Sequence, residues 1–415
     1  MEQLRIKNFL VIKNAKFDVG KINIIIGPQA NGKSILVKLL YLFRETISES
    51  FLISVKNNEL QKDFLKKIEE SFEKYFPHYT WKNKDFQIIY IRDDIEIKIS
   101  KTNTQRKIKI ELSEYLTNQF RGLKSQYKKF LKQKKDDDRF IYDDFWEFKD
   151  QYIDESQEVS KYFSESIFIP ASRSFFANLQ KNIFSFLAEN IDIDPFMKEF
   201  GSKYELAKNI HANTRFNEEI IQRNKSNKQF KEIVENILNG KYEYKDKQDW
   251  ITSKGEMINV ANTSSGQQES LPMLLILSIF PFVNDNKVNM YFIEEPEAHL
   301  FPVSQKHLVS LFGLIYNNDQ DSVITTHSPY ILTALNNLLL AYDIKEQKGK
   351  EALKDIIDEE FCINFDDIRA YTIEKGKLIS IMDKEERLIG MNIIDSVSDE
   401  FSNTFDTLLS MQDYE

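Results

Sequence analysis

The sequence has little that would assign it a role by composition alone. It holds one cysteine, Cys362, in 415 residues. That excludes an intramolecular disulfide and any cysteine-rich metal cluster. No apolar run approaches the ~20 residues that a membrane-spanning helix needs, and no secretory or transit signal opens the chain. A cytoplasmic protein with no membrane contact is therefore expected. Basic excess is also missing. The net charge is -9, so contact with nucleic acid would need a local basic patch. There is no internal repeat and no low-complexity stretch. Glycine is scarce, 12 residues in all, so a glycine cluster carries more information here than in an average chain. The length itself predicts two or three compact units, or one large two-lobed domain.

Two of those glycines bound one stretch, Ile24-Ile25-Ile26-Gly27-Pro28-Gln29-Ala30-Asn31-Gly32-Lys33-Ser34. It reads as a buried strand, a tight loop and the first turn of an apolar helix. The spacing G-x-x-x-x-G-K-S is that of a phosphate-binding loop. Gly27 and Gly32 permit positive-φ turns, so successive amide N–H groups can point at a polyphosphate. The helix start adds its positive dipole end. Lys33 would reach the β- and γ-phosphates, and the Ser34 hydroxyl would hold Mg²⁺.

Around it the chain alternates between strand and helix patterns. Leu4-Arg5-Ile6 and Val11-Ile12, a turn at Asn14-Ala15-Lys16 and a strand from Phe17 precede the loop. Helical spacing follows from Ser34 to about Glu49, then through Leu60, Phe64, Ile68, Phe72 and Phe76. Three period-two runs at 86–91, 95–99 and 107–112 predict an antiparallel meander. A long helix then carries Leu116, Phe120, Leu123, Tyr127 and Leu131 on one stripe. Arg121, Lys124, Lys128, Lys129, Lys132, Lys134 and Lys135 lie on the other, and Asp136-Asp137-Asp138 ends it. That basic face is either a solvated surface or a site for DNA, RNA or an acidic partner. Arg173, just past the buried strand at 166–170, would touch phosphate or pair with a carboxylate. Residues 175–240 read as helical and polar, a lid or insertion, with a hairpin between Gly240 and Gly255.

Three more elements carry chemistry. Ala261 to Glu269 is a small-polar loop with Gly266 at the start of an apolar helix. It is either an anion-binding device or a plain cap by Ser264 or Ser265. The buried strand from Val288 ends in Glu294 and Glu295. Opposite a phosphate loop, the first carboxylate suits Mg²⁺ and the second suits polarising an attacking water. The strand from Ser322 ends in His327, whose imidazole can bond a γ-phosphate oxygen or that water. A terminal helix through Ile394, Val397, Phe401, Phe405, Leu408 and Leu409 either docks a partner or, as expected here, packs on its own lobe.

These elements, in this order, resemble the ATP-binding-cassette ATPases of the SMC and OLD-nuclease type. Gly27, Pro28, Gln29, Ala30, Asn31, Gly32, Lys33 and Ser34 match Walker A. Thr263-Ser264-Ser265-Gly266-Gln267 looks like the signature loop, with Ser265 where many members have glycine. Ile293-Glu294-Glu295-Pro296 is similar to Walker B plus the catalytic glutamate, Glu294 replacing the usual aspartate as in the OLD-like branch. Glu297–Leu300 resembles the D-loop, and His327 the switch histidine. Phe168 to Ser174 is similar to a motif of the OLD-like branch. No Q-loop glutamine is placed. The likeness covers about 1–45 and 160–385 as framework.

The resemblance implies an α/β fold, a P-loop ABC-type head with a mixed sheet, an antiparallel β subdomain and helical insertions. It divides the chain into an N-terminal ATPase lobe at 1–175, a helical insertion at 176–250 and a C-terminal lobe at 251–415. It implies ATP and Mg²⁺, and a homodimer or higher homo-oligomer in which Ser264, Ser265, Gly266 and Gln267 of one copy cap ATP held by another. It further implies a switch ATPase that governs a separate effector, a nuclease, in bacterial anti-phage defence, similar to Septu-, PARIS- or retron-associated ATPases. The alternative is an SMC- or RecF-like ATPase acting on DNA, although no long heptad coiled coil is visible. A transporter subunit fits the paired glutamates poorly. A nuclease within this chain is not read either. Asp366-Asp367 followed by Glu374 does not match a toprim domain, and no Cys/His cluster suits an HNH fold.

Overall fold

Period-two runs such as 86–92 and 95–101 and continuous apolar runs such as Ile22–Ile26 form strands, and eleven of these strands join one large sheet. The computed structural model describes residues 1–134, 144–177, 193–212, 225–283, 288–390 and 392–411. Eleven strands lie in the order β6-β5-β4-β1-β2-β14-β13-β3-β12-β11-β7. Here β1 is Glu2–Phe9, β2 Ile12–Val19, β3 Ile22–Ile26, β4 Phe86–Arg92, β5 Ile95–Lys101, β6 Lys109–Leu112 and β7 Ser166–Ile169. Strands β11 Met290–Glu294, β12 Asp321–Thr326, β13 Ile368–Glu374 and β14 Lys377–Ser380 complete it. The half from β13 to β7 is parallel. The meander β4, β5 and β6 is antiparallel, as the alternation predicts, but it extends this same sheet through β1. Strands β8 Lys241–Lys245, β9 Gln248–Ser253 and β10 Glu256–Asn259 form a separate three-stranded sheet.

Both faces of the parallel half are covered, so β3, β7 and β11 are apolar on both sides, whereas β1, β4 and β5 bury one face only. Ile25, Phe292 and Val323 point into a core shared with the helices α1 Lys33–Glu45, α2 Phe51–Lys56 and α3 Gln61–Tyr75. Their neighbours Ile24, Ile26, Tyr291, Ile293 and Ile324 point into a second core. That core is closed by the helices Ser265–Val283, Pro302–Asn317 and Pro329–Lys348. Segments 1–26 and 290–380 thus contribute to one sheet, with β3 between β12 and β13.

Three expectations need correction. The first turn lies at Leu10, which takes φ 51, and not at Asn14-Ala15-Lys16. The alternation breaks at Lys13 and Asn14 because both amides donate to the Gly376 carbonyl at 2.8 and 3.1 Å. In the long helix α4, Glu114–Gln133, Leu131 is 42% exposed and Phe130 is buried in its place. The terminal helix Asn392–Ser410 does not bury its far end on the lobe. Phe401, Phe405, Leu408 and Leu409 are all exposed. The Asp136-Asp137-Asp138 stop and Lys135 lie outside the described residues, as do parts of the expected insertion.

One half-buried acidic cluster sits between α1, α3 and the helix Pro195–Ala212. Tyr75 Oη donates to Glu45 and Tyr41 Oη to Glu199. Burial, reinforced by Glu49 and Glu199 and opposed by the Tyr75 hydroxyl, pushes the Glu45 carboxyl up to about 7. A folded state that binds the proton more tightly is fully stabilised below the unfolded value of 4.5, and loses that stability as pH rises through about 7. Asp321, pushed up to about 6 by burial, acts in the same direction. Urea unfolding at about pH 5 and about pH 8 should therefore show Glu45→Gln gaining on the wild type by on the order of 2 kcal/mol across that interval. Equal pH dependence in the two proteins would contradict this reading.

Candidate functional site

The parallel half of the sheet sends four carboxyl ends to one edge, in the order β3, β12, β11, β7. Gly27 follows β3, His327 follows β12, Glu295 follows β11, and Arg173 is the fourth residue after β7. Residues spread over 300 positions of sequence are brought together by register alone, at the edge where parallel α/β sheets hold ligands.

The loop after β3 has the backbone that the glycine spacing predicts. Gly27 has φ 151, Ala30 φ 59 and Gly32 φ 98. Gly32 ends the loop in the left-handed region, and α1 begins at Lys33. A Cβ on Gly32 would come within 2.9 Å of Val11, so glycine is required there by both conformation and space. Asn31 Nδ2 ties the loop to β13 through the Ile373 carbonyl at 3.2 Å. Pro28, Gln29, Ala30 and Ser34 face outward. The Lys33 ammonium is 5% exposed and folds back on the loop. It donates to the carbonyls of Gly27 at 2.6 Å and Pro28 at 2.8 Å. Burial lowers its pKa, and Glu295, Glu297 and Glu294 pull it back up.

The two carboxylates occupy different surroundings. Glu294 is buried, and its Oε1 has no hydrogen-bond partner among the described residues. An ionised carboxylate oxygen left so costs stability unless a cation completes it. Hard oxygen donors, with the Ser34 hydroxyl at the start of α1, are what Mg²⁺ takes, so these residues fit that ion. Glu295 stands at φ 43, a conformation unusual for a side chain with a Cβ. Its amide donates to the Thr325 carbonyl at 3.0 Å, which fixes the kink. The side chain turns to the edge, where His327 Nε2 donates to its Oε1 at 2.7 Å. Both ring nitrogens of His327 lie 3.4 Å from Lys33 Nζ. Glu297 holds the histidine from behind, accepting from the His327 amide and from Thr326 Oγ1, each at 2.7 Å.

The serine-glycine loop presents an open tip. Ser264 and Ser265 are exposed at the start of the helix Ser265–Val283. Ser264 also caps that helix, its Oγ accepting from the Gln267 amide at 3.4 Å. Gln267 Nε2 reaches the Leu238 carbonyl at 2.6 Å. A Cβ on Gly266 would sit 2.7 Å from the His299 carbonyl. The tip is thus packed on the segment just after Glu295, and a side chain at Gly266 would push the two apart.

Arg173 is not available to phosphate. It is fully buried, and its guanidinium donates to the carbonyls of Glu269 at 3.0 Å, Pro170 at 2.9 Å, Glu294 at 2.7 Å and Glu295 at 3.1 Å. Of the two roles open to it, it takes the carboxylate-paired one, with Glu269 at 3.7 Å. Glu269 is the residue the sequence reading passed over. The signal was present: a lone acid one turn into a strongly apolar helix has to find a buried partner.

The family model described as an AAA ATPase domain matches residues 1–332. No curated protein matches. Among solved structures, the chain is similar to the SMC head domain from Thermotoga maritima at 11% identity, with 91% of this chain and 97% of that one covered and a TM-score of 0.36. It is also similar to an Smc head domain with an extended coiled coil, bound to the C-terminal domain of ScpA and derived from Pyrococcus furiosus. That match has 12% identity, coverage of 96% and 100%, and a TM-score of 0.38. A third, an SmcHead bound to the C-winged helix domain of ScpA, matches at 13% identity, 92% and 98% coverage, and a TM-score of 0.41.

Proposed function

Because the chain belongs to the AAA ATPase domain family, we propose that it is a switch ATPase whose two copies close around ATP and part on hydrolysis. The observation that carries this reading is the Lys33, His327 and Glu295 series on adjacent strand ends, with the unpartnered Glu294 oxygen beside it. Lys33 exchanges the Gly27 and Pro28 carbonyls for the β- and γ-phosphates. Glu295 takes the proton from the attacking water. His327 orients Glu295 and, once protonated or turned, reaches the γ-phosphate. Ser34 and Glu294 would hold Mg²⁺, which when bound neutralises charge on the phosphates. Ser264, Ser265, Gly266 and Gln267 complete the site of the other copy. Phe301, Val303 and Tyr330, each more than half exposed, supply apolar surface beside the site for that contact.

In this reading the paired heads regulate or scaffold a separate effector, a nuclease of bacterial anti-phage defence, in the cytoplasm. The support is that β13 and β14, late in the chain, pair into the ATPase sheet and so serve the head itself. A second reading, an SMC- or RecF-like ATPase acting on DNA, is favoured by one observation. Arg121, Lys128, Lys129 and Lys132 of α4 are exposed on one side of that helix, a cationic face suited to DNA or RNA.

Mixing two inactive variants tests the shared site. Lys33→Ala lacks the phosphate cradle, and Ser264→Arg blocks the exposed tip. In an equal mixture, half of the dimers are mixed, and each of those has one intact site. Activity should return to about a quarter of wild type. No recovery on mixing, with both variants folded and able to exchange subunits, would refute the shared site.

A further inference from the structure

We propose that Arg173 and Glu269 form a positioning link that couples the seating of the signature tip to the orientation of the Glu295 carboxylate. The inference rests on the ATP-sandwich reading above and adds to it how closure is sensed. The link is continuous and buried. Glu269 lies one helical turn beyond Gly266, and the turn is closed by Ser270 Oγ donating to the Gly266 carbonyl at 2.6 Å. The Glu269 carboxylate accepts from the Arg173 amide at 2.7 Å and the Ser174 amide at 2.8 Å. The Arg173 guanidinium then spans to the carbonyls of Glu294 and Glu295. Arg173 is 0% exposed and Glu269 2%.

Two features make this more than a clasp. Glu295 is held at φ 43, so its side chain aims where its backbone aims, and Arg173 grips the carbonyls on both sides of that kink. A planar fork with five donors fixes direction as well as distance, which an ammonium cannot do. A buried ion pair is also a poor way to gain stability, since desolvation offsets the attraction. What it supplies here is a stiff connection from the helix bearing the tip to the carboxylate that meets water. When the partner's nucleotide presses on Ser264 and Gly266, the helix moves, and Glu269, Arg173 and the Glu294–Glu295 backbone move with it.

The test compares wild type with Arg173→Lys, which keeps charge and loses the fork, and with Glu269→Gln, which keeps shape and loses charge. ATP-induced dimerisation is followed by light scattering, and hydrolysis by phosphate release as protein concentration rises. The wild type should accelerate as dimers form. The variants should dimerise with ATP and hold KM within about twofold, yet reach a kcat lower by about 10-fold, because a misplaced general base loses rate before it loses binding. Glu269→Gln serves where Arg173→Lys does not fold. Variants that reach wild-type kcat once dimeric overturn the link alone. So does a loss of ATP binding, dimerisation and melting temperature in parallel, which marks a packing role. A wild type that stays monomeric with ATP overturns the sandwich reading and the link together.

Discussion

Glu295→Gln is expected to slow ATP hydrolysis by a factor on the order of 10²–10⁴ while ATP stays bound. The amide keeps the shape of the carboxylate and can still accept from His327 Nε2–H, the contact seen at 2.7 Å. It cannot take a proton from water. The Lys33 ammonium, the Glu294 oxygen and the loop amides are untouched, so the ground state with ATP is preserved and the later steps are removed. Two copies brought together by ATP should then remain together. Single-turnover phosphate release measures the first effect, and analytical ultracentrifugation with ATP the second. A variant that turns over at the wild-type rate would remove Glu295 from the role of base and leave His327 as the residue to examine next.

The second large effect is expected at Lys33. Its ammonium is buried, is held by two loop carbonyls, and feels three carboxylates nearby. Its removal takes away a charged donor to the phosphates and leaves Glu294, Glu295 and Glu297 facing them without that cation. Charge-assisted contacts of this kind contribute about 3 kcal/mol when one partner is lost. Lys33→Ala should therefore weaken ATP binding by roughly 100-fold or more, and hydrolysis at ordinary nucleotide concentrations should fall to background. Titration with a fluorescent ATP analogue reads this directly. Lys33→Arg should not rescue it, because the pocket formed by the Gly27 and Pro28 carbonyls is shaped for a compact ammonium. Wild-type affinity in either variant would mean that the loop holds something other than a polyphosphate.

How much of this was legible in the sequence follows from how local each signal is. The strand, glycine-bounded loop and helix start at 24–34 were, because the positive-φ positions Gly27 and Gly32 are set by a spacing within eight residues. The place of Glu294 and Glu295 at the end of a buried strand was, because the apolar run that forms the strand stops abruptly at them. Arg173 was only half legible. Its choice between phosphate and carboxylate is decided by Glu269, 96 residues away, which no local pattern announces. The start of β2 was misplaced because its alternation is interrupted by the Gly376 carbonyl from the far end of the chain. The terminal helix shows the converse limit. Period and polarity predict that Phe401, Phe405 and Leu408 share a face, but not what that face meets, and in the structure it is exposed.

The place of β3 has a consequence for how the protein is made. The strand that leads into the loop at 27–32 is synthesised long before both of its neighbours, Ser322–Thr326 and Ile368–Thr372. While β1, β2 and β4 can zip together early, Ile22–Ile26 waits with two bare edges for about 300 residues of translation, a situation that favours slow maturation and sticking to other nascent chains. A product terminated before Ser322 would carry the loop in its covalent sequence and lack both strands that flank Ile22–Ile26.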